Sequence, residues 1–230
     1  MAVTAVVPEY GEMTRGIARY ADGRIIVVGT TNTDQVDDPS KGFACRYFEN
    51  GTIDPNFGDS GAVLLDYAFG FEEFNDAVVL PNNRVLVAGS HWGRCAVYKF
   101  TNFGDLDDSF GVFGASIITY DNESVFAATS IALQPDGKMV LACRKSNGGV
   151  MTGALVRMNE DGSLDETFGT GGVAAPYLGG TWSEFRDMVL LPDGKILAVG
   201  MQFGPGDPGD FLMARYDATG QLDPAFGTDG

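Results

Sequence analysis

Apolar and polar positions along the chain repeat in one arrangement: an apolar run, a polar turn and a second apolar run. It recurs four times, and the third and fourth copies read IALQPDGKMVLAC and MVLLPDGKILAVG. Asp-Gly between two β-rich runs favours a hairpin, because both turn positions tolerate a positive φ. We therefore predict four β-hairpins, at residues 16–29, 77–89, 131–143 and 188–200.

A second block follows each hairpin and keeps its register through all four copies. It starts with a basic residue, followed by glycine five positions later, aspartate eight positions later and Phe-Gly at positions eleven and twelve. The basic residues are Arg46, Lys99, Arg157 and Arg215, and the aspartates are Asp54, Asp107, Asp165 and Asp223. The basic residues lie 53, 58 and 58 positions apart. A register kept in this way is typical of a repeat protein.

Each copy contains four segments with strand character: the hairpin, a third strand ending at the basic residue, and a fourth strand after Phe-Gly. The fourth strands read AVLLDY at 62–67, ASIITY at 115–120 and VAAPYL at 173–178. Four antiparallel strands repeated around an axis describe a propeller blade. We predict an all-β, four-bladed β-propeller of four-stranded antiparallel blades, forming a single domain over residues 1–230. The repeat units are roughly 16–67, 75–120, 128–178 and 185–230 plus 1–10.

These residues resemble the delta-sixty repeat of bacterial proteins, whose signature is similar to PDGKILVAG followed by RYNADGSLDxTFGxxG. The resemblance covers nearly the whole chain. It departs from the pattern at Arg19-Tyr20-Ala21 in the first hairpin and at Asn82-Asn83 in the second. The resemblance implies a propeller-like fold and attaches no general activity to the chain.

The two ends of the sequence suggest how the ring closes. The last copy stops at Gly230, before a fourth strand, while the chain starts with the β-rich stretch MAVTAVVPEY. We predict that this N-terminal strand completes the last blade, because its backbone hydrogen bonds would satisfy the open edge. The alternative is a strand-swapped dimer, in which two chains exchange these strands and form a larger ring. The cost of loop closure favours the monomer.

Charge and the lack of targeting features narrow the possible partners. With 31 acidic and 15 basic residues, the formal net charge is −16. Such a charge repels nucleic acid and favours high solubility, with a basic protein partner or bound cations as the alternatives. No apolar run is long enough to span a membrane, and residues 1–10 lack the pattern of a secretory signal. We therefore expect a cytoplasmic protein, with leaderless export left open.

Cysteine and histidine usage argues against metal chemistry. The three cysteines, Cys45, Cys95 and Cys143, lie in apolar strand-like stretches without CxxC spacing, which predicts buried free thiols. The single histidine leaves few ligands for zinc. The acidic stretches 33–40 and 204–210 lack the spacing of a calcium loop, so we predict solvated loops. We expect neither a metal nor a cofactor.

The repeated charged residues favour a structural role. We predict one ion pair or turn hydrogen bond per repeat rather than a ring of binding sites, because every blade needs the same support and a binding site usually occurs once. The phenylalanines of Phe-Gly are predicted to pack between neighbouring blades; they are Phe57, Phe110, Phe168 and Phe226.

Loops that enter the first strand and leave the second strand of each repeat differ in length and character, and we expect them at one rim. Variation over a constant scaffold is typical of recognition loops. The alternatives are aromatic side chains that plug the central channel and polar side chains that form a structural hydrogen-bond ring. Our candidate ligand- or partner-binding residues are Trp92, Trp182, His91, Arg15, Asp76, Arg186, Asp187 and Phe126.

Three hypotheses for function follow from this rim. The leading one is a non-catalytic interaction module that binds a protein partner through exposed aromatic residues. The second is a small-ligand or carbohydrate binder at the channel mouth. The third is a hydrolase or lyase with site residues drawn from Asp76, Asp187, Arg186 and His91. The sequence has no GxSxG, P-loop or HExxH motif, so we lean against an enzyme.

Overall fold

A computed structural model describes residues 11–32, 40–65, 71–119, 125–147, 150–178, 180–206, 208–227 and 230. The regular elements within these residues are all β-strands, which confirms the all-β prediction. No helix with the length and apolar character of a membrane span occurs in this part of the chain. The strands divide into two compact units, Met1–Ile117 and Ile118–Gly230.

The first unit contains repeats 1 and 2, each an antiparallel meander. Repeat 1 comprises β1 (Gly11–Arg19), β2 (Ile25–Asn32), β3 (Gly42–Tyr47) and β4 (Ala62–Leu65), paired in that order. Repeat 2 comprises β5 (Glu72–Val79), β6 (Val85–His91), β7 (Arg94–Phe100) and β8 (Ala115–Ile117). The core of this unit includes the buried side chains of Tyr20, Ile26, Phe57, Phe74 and Tyr98.

The second unit contains repeats 3 and 4. Repeat 3 comprises β9 (Val125–Leu133), β10 (Met139–Asn147), β11 (Val150–Met158) and β12 (Val173–Ala174). Repeat 4 comprises β13 (Trp182–Leu190), β14 (Ile196–Phe203) and β15 (Asp210–Tyr216). Its core includes Leu155, Phe168, Phe185, Ile196 and Tyr216.

The predicted closed ring of four separate four-stranded blades is wrong. In the second unit β9–β15 form one mixed sheet, because β13 pairs in parallel with β11 at Trp182 and Met151. β12 covers β11 only at Leu155 and Val156, which leaves the start of β11 open to β13. Repeat 4 has three strands among the described residues, and the closing strand predicted at residues 1–10 lies outside them.

The ion pair predicted from the repeat is present in all four copies. The basic side chain lies 2.8 Å from the aspartate in repeat 1, 3.7 Å in repeat 2, 2.6 Å in repeat 3 and 2.8 Å in repeat 4. A second cation from the hairpin turn reaches the same aspartate in each copy; these are Arg24, Arg84, Lys138 and Lys195. Each aspartate therefore joins the hairpin to the third strand.

The same basic side chain also lies over the phenylalanine of Phe-Gly. The distances from the cation to the ring centre are 4.8, 5.6, 4.6 and 4.6 Å in repeats 1 to 4. Phe57, Phe110 and Phe168 are fully buried. Phe168 also touches the following repeat, because a Cβ added to Gly220 would lie 2.9 Å from its ring. This contact agrees with the predicted packing between neighbouring repeats.

Within each unit, one repeat donates hydrogen bonds to the turn of the next. Arg46 Nη1 donates to the carbonyl of Asn102, and Arg157 Nη1 donates to that of Ala218 at 2.6 Å. Both carbonyls belong to the third residue after the next repeat's basic residue. In both units the arginine of the leading repeat is thus the donor and a turn carbonyl of the following repeat is the acceptor.

The three cysteines lie buried on β3, β7 and β10 and form no disulfide, as their apolar surroundings predict. Burial, together with the charge of Glu12, raises the pKa of the Cys45 thiol to about 12. A thiol with so high a pKa is a poor nucleophile at neutral pH.

Candidate binding rim

The candidate rim lies where the first strand of a repeat begins and the second strand ends. In repeat 2 the pairing of Glu72 with His91 marks this edge, and in repeat 4 the pairing of Trp182 with Phe203 marks it. We call these two edges the first-unit rim and the second-unit rim, after the units that contain them.

The first-unit rim presents two stacked aromatic side chains at the tip of a hairpin. β6 and β7 are joined by the two-residue turn Trp92-Gly93, with φ values of 52° and 73°. The backbone N–H of Trp92 donates to the carbonyl of Phe71 at 2.9 Å, and the two rings meet edge to face with centres 5.1 Å apart. Trp92 is 54% exposed and Phe71 is 46% exposed.

Trp92 adopts a conformation that suits it poorly. A two-residue hairpin turn with positive φ at both positions normally contains Asn-Gly or Asp-Gly. A side chain with a Cβ pays about 1 kcal/mol or more in the left-handed region. Since the tryptophan is also exposed, its place in the turn is not explained by burial.

A buried carboxylate lies beneath this turn. Glu72 is fully buried, and its Oε1 is 3.0 Å from Nδ1 of His91. With the carboxylate ionised, Glu72 only accepts hydrogen bonds and Nδ1 of His91 is the donor. Burial, followed by the charge of Arg94, lowers the pKa of the His91 imidazole, which favours the neutral ring. The pair ties the end of β6 to the start of β5.

The second-unit rim is built around another buried carboxylate. Glu184 accepts from Arg144 Nη1 at 3.0 Å and forms a second ion pair with Arg186, whose side chain is 61% exposed. The guanidinium of Arg144 lies 5.6 Å from the ring centre of Phe126. Trp182 is half-buried and packs edge to face against Phe203 at 4.9 Å.

The polar residues predicted at the start of the first strands coincide with breaks in the ladder. Strand pairing slips between Thr14 and Gly16, between Phe74 and Asp76 and between Phe185 and Asp187. The extra residues are Arg15, Asn75 and Arg186. A β-bulge of this kind re-aims side chains near functional edges. Arg15 and Arg186 are exposed as a result.

The neighbouring aspartates take part in local hydrogen bonds. Oδ1 of Asp76 accepts from the N–H of Ala77, and Oδ1 of Asp187 accepts from the N–H of Met188, both at 2.8 Å. Ser130 also donates to Asp187 at 2.9 Å, which links β9 to β13. These hydrogen bonds give Asp76 and Asp187 a structural role, which is the alternative that the sequence left open for the polar residues of the first strands.

The structure groups the candidate residues into two sets. His91 and Trp92 belong to the first-unit rim. Trp182 and Arg186 belong to the second-unit rim. Phe126 also belongs to the second-unit rim, because it contacts Arg144, which binds Glu184. Two buried carboxylates, Glu72 and Glu184, are not among the residues predicted from the sequence. No shared sequence signal marks them, because Glu72 lies two residues before Phe74 whereas Glu184 lies one residue before Phe185.

Metal-ligand clusters do not mark the described parts of the rims. Across the described ranges, no group of three or more His, Cys, Asp or Glu side chains is placed to hold a metal. Residues 33–39 and 207 of the acidic stretches lie outside those ranges. A cavity of about 350 Å³ in the second unit lies at the other end of the strands, between β12 and residues 220–222. It has no charged lining residue.

Comparison with protein families gives a partial match that follows the repeat. A family described as "Domain of unknown function (DUF5122) beta-propeller" matches residues 21–57, 134–168 and 191–226. The match supports a propeller-like repeat family. The three segments run from the hairpin turn through the Asp and Phe-Gly block of repeats 1, 3 and 4. A search of curated proteins finds no match.

Solved structures share the fold at low sequence identity. A protein of unknown function from Dyadobacter fermentans DSM 18053 has a TM-score of 0.60 at 11% identity, over 96% of this chain and 70% of that one. A GH43 endo-arabinanase from Bacillus licheniformis has a TM-score of 0.50 at 14% identity, over 88% and 73%. A catalytically inactive virginiamycin B lyase from Staphylococcus aureus, with quinupristin, has a TM-score of 0.52 at 12% identity, over 96% and 61%. The four repeats therefore match part of each larger structure.

Proposed function

We propose that the first-unit rim binds a protein partner, with Trp92 and Phe71 as the anchoring side chains. The observation that carries the proposal is the exposed tryptophan in a left-handed turn position. This conformation costs stability, and asparagine or glycine would avoid the cost. Strained positions of this kind cluster at functional sites. Tryptophan is also the residue most enriched among energetic hot spots of protein interfaces.

The form of the rim favours a macromolecule over a small ligand. Trp92 stands at the tip of a two-residue turn, whereas small-molecule sites are concave and enclose most of the ligand. The chain carries a net charge of −16, so we expect a partner with a basic surface around the pocket that receives Trp92. The hydrogen bond between Glu72 and His91 holds the turn in place beneath the rings.

The test compares two turn variants as baits in the lysate of the source organism. Trp92→Asn removes the ring and keeps a residue that the turn accepts, so the fold is retained. A partner bound by the wild type should be lost from this bait, by at least about tenfold in recovery, because hot-spot truncation commonly costs 2 kcal/mol or more. The partner is then purified and its affinity for both proteins measured by calorimetry.

Phe113→Asn is the matched control. Phe113 is 77% exposed and has a φ of 52°, but it lies beyond the opposite end of β7 from Trp92. Partner recovery should be unchanged in this variant. Equal recovery by wild type and Trp92→Asn would remove the first-unit rim from consideration.

The hydrolase or lyase hypothesis has less support. Of its four candidate residues, Asp187 accepts hydrogen bonds from Ser130 and from the next backbone N–H, and His91 is bound to Glu72. Side chains held in this way lack the converging, open geometry of a general acid and base. The enzymes among the similar structures are similar in fold alone.

A further inference from the structure

The cavity of the second unit lies between two consecutive repeats of that unit, and we call it the β12 cavity. Its volume of about 350 Å³ is at the lower end of the range for small-molecule sites. Val173 and Ala174 of β12 form its floor, since both line it and are only 4% exposed. Thr170 and Gln221 also line it and are exposed, so they form its mouth.

The equivalent space in the first unit is filled by a valine. Val63 of β4 packs against the core of that unit. Its Cγ2 would lie 2.7 Å from a Cβ added to Gly58 and 2.9 Å from a Cβ added to Gly104. The valine side chain therefore reaches from repeat 1 to the turn of repeat 2.

The second unit has smaller side chains in this place. Ala174 occupies the position of Val63, seventeen residues after the basic residue. An added Cβ at Gly169 or Gly220, the counterparts of the two glycines above, would first meet backbone atoms or the ring of the Phe-Gly phenylalanine rather than the Ala174 methyl. Two leucines follow Val63, whereas an alanine and a proline follow Ala174. The smaller residues of repeat 3 thus leave the cavity open.

The polar groups at the mouth also differ between the units. Asp59 and Asp105 of the first unit occupy the positions of Thr170 and Gln221. The second unit therefore carries a hydroxyl and a carboxamide in place of two carboxylates, in a chain with 31 acidic and 15 basic residues. Each of these neutral groups both donates and accepts hydrogen bonds. Departures from a repeat's own pattern are expected at functional sites.

This lining favours an uncharged ligand with hydroxyl groups. None of the described residues that line the cavity is charged or aromatic. An ion would lose its hydration there without gaining a counter-charge, which is costly. A nucleobase typically stacks on aromatic side chains. A sugar ring has hydroxyls that match the groups of Thr170 and Gln221, and C–H groups that match an aliphatic floor.

We propose that the β12 cavity binds a neutral monosaccharide unit. The sugar hydroxyls bond to Thr170 and Gln221 at the mouth, and the ring carbons pack on Val173 and Ala174. Few polar contacts hold so small a ligand, so we expect a Kd in the millimolar range. The site is independent of the proposed rim function, because it lies within the second unit and Trp92 lies in the first.

The first test follows the methyl signals of the cavity floor by NMR. The whole chain, labelled at alanine and valine methyl groups, is titrated with D-glucose, D-galactose and D-mannose, each as the free sugar and as its methyl glycoside. At least one sugar should shift the Val173 and Ala174 signals saturably, and no saturable shift with any of them would overturn the proposal. Binding of the glycoside assigns the end of a glycan as the ligand, and binding of the free sugar alone assigns a free sugar. Glucuronate is the charged control and should bind at least about tenfold more weakly, because its carboxylate has no counter-charge in the cavity. Equal binding would contradict a neutral ligand.

The second test fills the cavity from within. Ala174→Val introduces the residue that repeat 1 has at this position, and the sugar-induced shifts of Val173 should disappear. Ala62→Val is the matched control, since it places on β4 the residue that repeat 3 has as Val173, and it should leave binding unchanged. Undiminished binding to Ala174→Val would place the sugar elsewhere and overturn the proposal.

A third variant gives a result even if Ala174→Val does not fold. The Gln221 side chain is exposed, so Gln221→Ala retains the fold, which circular dichroism checks. Loss of the carboxamide should raise the Kd by about threefold to tenfold, the value of one hydrogen bond. An unchanged Kd would contradict binding at this mouth.

Discussion

Arg157 and Asp165, eight residues apart, are joined by a 2.6 Å contact between Nε and Oδ2 with both side chains almost completely buried. The same carboxylate accepts from Lys138 at 2.7 Å and from the hydroxyl of Thr167 at 2.6 Å. The guanidinium also covers the ring of Phe168 at 4.6 Å. One aspartate thus connects the hairpin, the third strand and the Phe-Gly segment of repeat 3.

Replacing this aspartate should be costly. Asp165→Asn leaves Arg157 buried beside an uncharged partner, so we expect the free energy of unfolding to fall by about 3 kcal/mol. Urea denaturation followed by circular dichroism measures the loss. The matched control is Glu49→Gln, which breaks the exposed pair of Glu49 with Arg19 and should cost less than about 1 kcal/mol. Equal losses in the two variants would show that burial does not set the strength of the repeated pair.

Acid should destabilise the fold through the same carboxylates. Burial alone would raise the pKa of Asp165, but hydrogen bonds from Lys138, Thr167 and Arg157 outweigh it and hold the pKa well below its usual value. Hydrogen bonds from Lys195 and the N–H of Ala225 lower the pKa of Asp223 to about 2.

The sign of the pH dependence follows from these lowered values. The stabilisation is complete above the unfolded-state pKa of about 4 and is lost as the pH falls toward the folded-state pKa. We expect the melting temperature to drop between pH 4 and pH 2, as measured by thermal denaturation. Asp223→Asn should make the drop shallower, and an unchanged slope would argue that this carboxylate is not linked to acid unfolding.

The repeat made much of the local structure predictable from the sequence. The basic residue and the aspartate eight positions after it keep their spacing in all four copies, while other loops vary in length. This constant spacing indicates a contact, as between Arg157 and Asp165. The connection between repeats was not predictable in this way. The segment VAAPYL was expected to be a strand over 173–178, but pairing ends at Ala174. Pro176 lacks the N–H that a longer ladder needs, and the shortened β12 leaves β11 free to pair with β13.

The pairing of the start of the first strand with the end of the second was predictable within a repeat, but the chemistry of the side chains there was not. Variable loops pointed to this edge, and Trp92 is exposed there. Arg15 and Arg186 interrupt an apolar pattern, and this is visible in the sequence. That they are bulge residues is not visible there, because a bulge is defined by the backbone pairing of two strands. Glu72 was hidden because a charged residue in a strand is normally assigned to the solvent side, whereas its carboxylate is buried against His91.

The strain at Trp92 can be measured by comparing two substitutions. Trp92→Asn and Trp92→Ala both remove the contact with Phe71, but only asparagine is well tolerated at a φ of 52°. We expect the asparagine variant to be more stable than the alanine variant by about 1 kcal/mol in urea denaturation. The same pair of substitutions at Ile17, on the extended strand β1, should show no such preference for asparagine. Equal stability at position 92 would mean that the turn imposes no strain on its first residue.

Substitutions of the residues opposite the bulges test why the strand pairing shifts register at these positions. A Cβ on Gly200 would overlap the carbonyl oxygen of Glu184, and Gly89 faces Glu73 in the same way. Repeat 3 has Cys143 at this position, and there the pairing of β10 with β9 skips from Ser130 to Phe126, which leaves room for a side chain. Gly200→Ala should therefore cost about 2–3 kcal/mol through overpacking, whereas Cys143→Ala should cost less than about 1.5 kcal/mol. Urea denaturation of both variants checks the difference, and comparable losses would mean that the bulge does not require a glycine across from it.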